Sequence, residues 1–324
     1  MCEASFMGLA DRNFEMIKTN GITLRCVVEG DGPLVILMHG APQGWYLWRH
    51  QIDPLVEQGW RVCVPDQRGY GASECPPNVE DYGILDLTAD IDGLATALGH
   101  DDYALAIHDW GAIVGWNVAL LYPDRVRAVL GLSIPYLRDP NWAAMCTQEF
   151  WGDRFFYWAY YCAEVGLAER EMEADLRSNL LRMYLGASGD NDFRGDSRTA
   201  KTFLDLMPPE PEVLPSWLTE QDMDYYVENF ERSGLRGSIN WYRNLPTLLS
   251  DTAALEGVKI PQPTRFIMGS KDAAQYFLPP DGQAERFDDL RDEIVIDGAG
   301  HWLQLEATEE LNRLMLEFFA EFVA

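Results

Sequence analysis

Asp109 stands where a strand-like run meets a helical one, in the segment ALAIHDWGA of residues 104–112. The apolar run ends at a short polar turn and helical periodicity starts at once. Gly111, two places on, supplies the small residue that a tight turn needs. A carboxylate held there is ionised at neutral pH and needs no base to activate it. It suits displacement at an sp3 carbon, which leaves an alkyl ester, and a histidine is then free to activate water against that ester. The helix starting at Trp110 offers backbone N–H groups and the positive end of its dipole to the oxyanion. Taken alone, Asp109 reads equally well as the N-cap of a buried helix.

Three further segments bear on the choice. His39, Gly40, Ala41 and Pro42 follow another strand-like run, and the Ala41 N–H is a candidate for a second oxyanion donor. Alone, that segment is an ordinary Gly-Pro turn. Asp272, in MGSKD (268–272), and His301, in GAGHW (298–302), each follow a strand-like run. His301 Nε2 would take a proton from water while Asp272 fixes the tautomer and stabilises the imidazolium. Either could be an ordinary loop residue; together, at strand ends and in the order Asp109, Asp272, His301, they form a constellation. His50, His100 and His108 read as structural or solvated, with the His108 side chain pointing away from Asp109. No grouping of His, Asp, Glu and Cys has metal-ligand spacing, so neither metal nor cofactor is expected.

Strand-like runs at 22–28, 34–39, 61–65, 103–108, 126–133, 265–269 and 293–296 would position these groups. Amphipathic helical stretches at 45–57, 84–98, 112–122 and 309–322 alternate with them, which argues for a parallel sheet covered on both faces. The alternation stops after Pro135. From there to about Pro246 the chain reads as aromatic-rich helices and loops, with the Pro-rich loop of residues 206–215 among them. A helical insertion into an α/β core is the simplest account: core over 1–135 and 247–324, cap over 136–246.

The net charge of −27 repels nucleic acid and anionic lipid, so both are discounted as partners. The six cysteines (Cys2, Cys26, Cys63, Cys75, Cys146 and Cys162) form no CxxC pair. Residues Met1 to Arg12 lack a basic-then-apolar leader pattern, and no apolar stretch is long enough to span a bilayer. A cytoplasmic monomer or homodimer is the default expectation.

The chain resembles the α/β-hydrolase-fold epoxide hydrolases. The matching segments are HGAPQGWYLWRH (39–50), PDQRGYGAS (65–73), HDWGA (108–112), YPDRVRAV (122–129), NWYRN (240–244) and GHWLQ (300–304), so the likeness runs through nearly the whole chain. It implies the α/β-hydrolase fold, a mostly parallel central sheet with an inserted helical cap. It also implies two cap tyrosines that hold the epoxide oxygen and protonate the leaving alkoxide. Tyr242 matches the second of these. For the first, Tyr157 fits the pattern Tyr-x-x-Tyr-Phe, whereas counting back from Gly166 selects Trp158; an indole is too weak an acid to protonate an alkoxide, which favours Tyr157. Ile107 stands where the family usually has Gly, and Ala41 where it usually has Phe, which should widen the pocket floor. The expected activity is conversion of a small, neutral, hydrophobic epoxide to a vicinal diol. A haloalkane dehalogenase shares the Asp nucleophile and could use Trp110 and Trp158 to cradle halide. Fluoroacetate dehalogenase needs an Arg where Trp110 stands, and a non-catalytic receptor of this fold would have less reason to keep Asp109, Asp272 and His301.

Overall fold

Asn20 and Gly21 turn the chain back on itself, with φ of 43° and 80°. Two successive positive φ values make the tight hairpin turn whose twist matches paired strands. The strand before it, β1 (Phe14–Thr19), pairs antiparallel with β2 (Ile22–Glu29) in the register Thr19 opposite Ile22. The sequence reading begins the sheet at residue 22 and so omits β1; its Asn-Gly pair was the available signal. The computed structural model describes residues 12–192 and 195–322. The expectations for the leader region and for Cys2 therefore lie outside the described residues, Arg12 apart.

The remaining strands are β3 (Leu34–Met38), β4 (Arg61–Pro65), β5 (Tyr103–His108), β6 (Val126–Leu132), β7 (Thr264–Gly269) and β8 (Leu290–Ile296). Among the described residues the strands form one eight-stranded sheet in the order β1-β2-β4-β3-β5-β6-β7-β8. β3 to β8 run parallel, and β1 and β2 make the antiparallel edge. Every residue of β3, β5 and β7 is buried, the pattern of strands covered on both faces. Burying each large apolar side chain there contributes about 1.5–3 kcal/mol.

The helices of the first half are α1 (Ile52–Gln58), α2 (Ile84–Ala97) and α3 (Trp110–Leu121). The sequence suggested one helix over 45–57, but the chain makes a 3-10 turn at Trp45–Trp48 and restarts at Ile52. Pro54 is the reason. It has no N–H to give the carbonyl of residue 50, so it is tolerated only in the first turn of a new helix. α3 is buried from Trp110 to Leu120 and apolar all round, as a helix enclosed on every side must be.

Between β6 and β7 the described chain is helical: α4 (Trp142–Met145), α5 (Gln148–Trp151), α6 (Tyr157–Ala163), α7 (Leu167–Glu173), α8 (Leu176–Ala187), α9 (Glu220–Ser233), α10 (Arg236–Arg243) and α11 (Leu245–Asp251). Residues 207–219 are irregular, as their prolines require. The chain ends with α12 (Leu303–Glu306) and α13 (Thr308–Phe319). Among the described residues, no helix is long and apolar enough to cross a membrane.

Candidate active site

Asp109 occupies the turn between β5 and α3 with φ 54° and ψ −123°. Few side chains tolerate this region, and holding one there costs on the order of 1–3 kcal/mol. The surroundings enforce it. A Cβ on Gly111 would lie 2.5 Å from the carbonyl oxygens of both Met38 and His39, so only glycine lets α3 start this close to the β3 turn. The bulk of Ile107 is absorbed by Gly115, where a Cβ would come within 2.4 Å of the Ile107 side chain. The usual glycine before the turn is thus replaced by a glycine across from it.

The Ala41 N–H donates to Asp109 Oδ1 at 2.7 Å. Trp110 sits at the first position of α3, where an amide has no acceptor within the helix. Neutral His39 sets the β3 turn: burial lowers its pKa, Nδ1 contacts the Gly40 carbonyl at 2.9 Å, and Nε2 accepts from the Gln67 N–H at 3.1 Å.

His301 Nε2 lies 3.5 Å from Asp109 Oδ2, and Nδ1 lies 3.2 Å from both oxygens of Asp272. Asp272 also accepts from the Ala274 N–H at 2.9 Å and from Ser133 Oγ at 2.5 Å. Burial would raise both carboxyls, but the charge and hydrogen bonds of His301 hold each below its ordinary value. Burial pulls His301 the other way, and the two carboxylates outweigh it, raising its pKa to about 10. At rest the site is therefore a buried carboxylate–imidazolium–carboxylate chain. Protonating His301 stabilises the fold fully below pH 6.5, and the gain fades as pH rises toward about 10. The melting temperature should fall across that window, and the fall should be shallower in His301→Gln; equal slopes would contradict the assignment.

Several supporting groups escaped the sequence reading. Ser133, at the end of β6 with φ 69°, touches both Asp272 and, at 2.8 Å, His301 Nδ1. His108 is buried, not solvated. Burial and the His301 charge lower its pKa to about 3, so it is neutral, and Nε2 meets the His301 carbonyl at 2.9 Å. Its side chain braces the loop of residue 301. Glu306 accepts from the N–H groups of Gly189, Gly300 and Trp302 at 2.8, 3.0 and 2.9 Å, tying that loop to the end of α8.

Above Asp109 is a cavity of about 290 Å³. Tyr157, Trp158 and Tyr161 line it from α6, Tyr242 from α10, and Ala41 and Trp110 from the core. The rings of Tyr157 and Tyr242 are 5.6 Å apart. Burial, and then the Asp109 charge on Tyr157, push both phenols up, so both remain donors at neutral pH. Tyr161, which sequence reasoning overlooked, gives its hydroxyl to Met172 Sδ at 3.6 Å. Tyr160 turns its hydroxyl to Glu171. The remaining wall is largely apolar, and among the described residues it holds no Arg or Lys. No cluster of three or more His, Cys, Asp or Glu that could hold a metal occurs among them either.

The chain matches the α/β hydrolase fold family over residues 33–308. It is 41% identical over 312 residues to epoxide hydrolase A of Mycobacterium tuberculosis (strain ATCC 25618 / H37Rv), spanning 94% of this chain and 96% of that protein. Epoxide hydrolase 1 of Siraitia grosvenorii is 32% identical over 324 residues, across 94% and 97% of the two chains. The crystal structure of epoxide hydrolase A from Mycobacterium thermoresistibile superposes with a TM-score of 0.90 at 41% identity, covering 95% of this chain and 98% of that one. An elbow with Asp at its apex, a His–Asp pair beside it and this breadth of similarity agree: the chain belongs to the α/β-hydrolase fold family and, within it, to the epoxide hydrolases.

Proposed function

We propose that this epoxide hydrolase opens a neutral, hydrophobic epoxide through a covalent ester on Asp109. The observation that carries this reading is the placement of Asp109 on the elbow, hydrogen-bonded to Ala41 and facing both His301 and a cavity with two phenols. Residues 136–246 serve as the cap. Tyr157 and Tyr242 donate to the epoxide oxygen while Asp109 Oδ2 attacks the ring carbon. The C–O bond breaks and one phenol gives its proton to the alkoxide. Oδ1, already on the Ala41 N–H, becomes the ester carbonyl oxygen, with the Trp110 N–H as its second donor. The new ester carries no charge, so His301 loses the Asp109 contribution that raised its pKa. It gives up its proton, which returns to the phenolate left by the alkoxide step, and can then act as a base. Water held by neutral His301 attacks the ester carbonyl, and Asp272 stabilises the imidazolium that forms. Collapse of the oxyanion expels the alkoxide, which takes the remaining hydroxyl proton; this releases the diol and restores the Asp109 carboxylate and the His301 imidazolium. Losing one oxyanion donor costs about 3–4 kcal/mol in such a step.

Trp158 adds apolar wall rather than acid catalysis, since its indole cannot supply the proton. The lining among the described residues holds no Arg or Lys to pair with an anionic substrate, and its His301 already faces two carboxylates, which favours an uncharged substrate. We assign the enzyme to the cytoplasm as a monomer or homodimer; its acidic surface and unpatterned cysteines support that assignment.

Styrene oxide tests the acid step. Tyr157→Phe and Tyr242→Phe should each lower kcat by about 10²-fold and the double variant by up to about 10⁴-fold, the range of general acid catalysis. Unchanged kcat in the double variant would remove the phenols from the mechanism. The indoles of Trp110 and Trp158, both on the cavity wall, favour halide binding as a second reading. Bromide release from 1-bromobutane at a rate matching epoxide turnover would select it.

A further inference from the structure

One ring closes an end of the reaction cavity. Phe277 follows the short helical turn Ala273–Tyr276, five residues after Asp272, and its N–H meets the Ala274 carbonyl at 3.2 Å. Its ring packs across to the α6 side, with centroids 5.8 Å from Phe156 and 6.3 Å from both Tyr157 and Trp158. Behind it lies a second cavity of about 590 Å³, walled by residues that include Tyr136, Arg138, Lys259 and Arg286. Among the described residues, Phe277 is the one lining residue that the two cavities share.

We infer that Phe277 is a specificity-determining residue, a partition that sets how long a substituent the epoxide can carry. This rests on the epoxide-hydrolase reading of the Asp109 site. A chain extending from the reacting carbon toward Phe277 meets a ring braced on three aromatic neighbours. To pass, it must break those contacts; to stop, it must be short. The backbone of the ring is tied to the turn after Asp272 and the ring itself packs on three aromatic rings at the start of α6, so swinging it aside breaks those contacts. Without it, the apolar reaction cavity would open directly into the second cavity, whose cations and carboxylates would meet the far end of the chain. Phe277 carries no group that the chemistry uses, so the inference concerns substrate length and not the rate of bond breaking.

The test is a series of 1,2-epoxyalkanes from epoxybutane to epoxydodecane, with kcat/KM measured for wild type, Phe277→Ala and Phe277→Trp. In wild type, kcat/KM should rise with chain length and then drop. Phe277→Ala should move that drop to longer chains, raising kcat/KM for the longest member by about tenfold, with epoxybutane within about threefold of wild type. Phe277→Trp should move it to shorter chains. Length profiles that remain parallel in all three proteins while epoxybutane is turned over would overturn the inference, as would a loss in both variants that is uniform along the series. Wild type that forms no diol from any member would overturn the reading of the site beneath it.

Discussion

Asp109→Ala is expected to reduce styrene oxide hydrolysis by on the order of 10⁶-fold, to the background of the uncatalysed reaction. The effect is this large because, in the proposed mechanism, the removed group forms a bond, and residues that act as a unit fall together, not additively. His301 and Asp272 have nothing to act on when no ester exists. The fold should tolerate the change, since alanine keeps the Cβ and adds no atom to the closely packed turn. Measurement of kcat together with the circular-dichroism spectrum checks both halves. Residual turnover within about 10²-fold of wild type, in a folded protein, would mean that another group attacks the epoxide.

The second large effect differs in kind. His301→Gln should leave the alkylation step running and stop hydrolysis, because the carboxylate needs no base whereas water does. One equivalent of epoxide should disappear quickly, and the protein mass should rise by one substrate. Diol formation should then be slower than wild type by about 10³-fold or more, within the range lost when general base catalysis is removed. The adduct should map to the peptide holding Asp109. If no adduct forms and epoxide is simply untouched, His301 acts before or during ring opening, and the division of labour between the two steps is wrong. The rate of ester decay in wild type also reports the charge coupling. With Asp109 esterified, His301 should titrate well below its resting value of about 10, so decay should reach its plateau near neutral pH.

Local pattern made Asp109 legible. A strand, a turn and a helix follow one another within residues 103–121, and the residue between them needs no distant partner to be located. Asp272 and His301 were legible for the same reason, each following an apolar run, and the structure brings both into one contact chain with Asp109. Ser133 was not, because its role exists only once β6 and β7 lie side by side and their ends meet. The same holds for Glu306, whose three backbone partners come from two segments more than a hundred residues apart. On α6, a helix of seven residues, periodicity does not separate Tyr157, Trp158 and Tyr161, and all three line the cavity. The hydroxyl of Tyr161 is taken by Met172, which distinguishes it from Tyr157 by contact, not by sequence. The helix expected over 45–57 failed at Pro54, a residue whose missing N–H was readable and decisive.

A single turnover of styrene oxide in heavy-oxygen water, with enzyme in excess, tests the covalent claim most directly. Hydrolysis of the ester at its carbonyl puts the water oxygen into Asp109 and releases the diol with an oxygen drawn from the old carboxylate. The first diol formed should therefore be unlabelled, and the peptide containing Asp109 should gain the heavy isotope. Label in the first diol, with an unlabelled Asp109 peptide, would mean that water attacks the epoxide directly and that no ester forms.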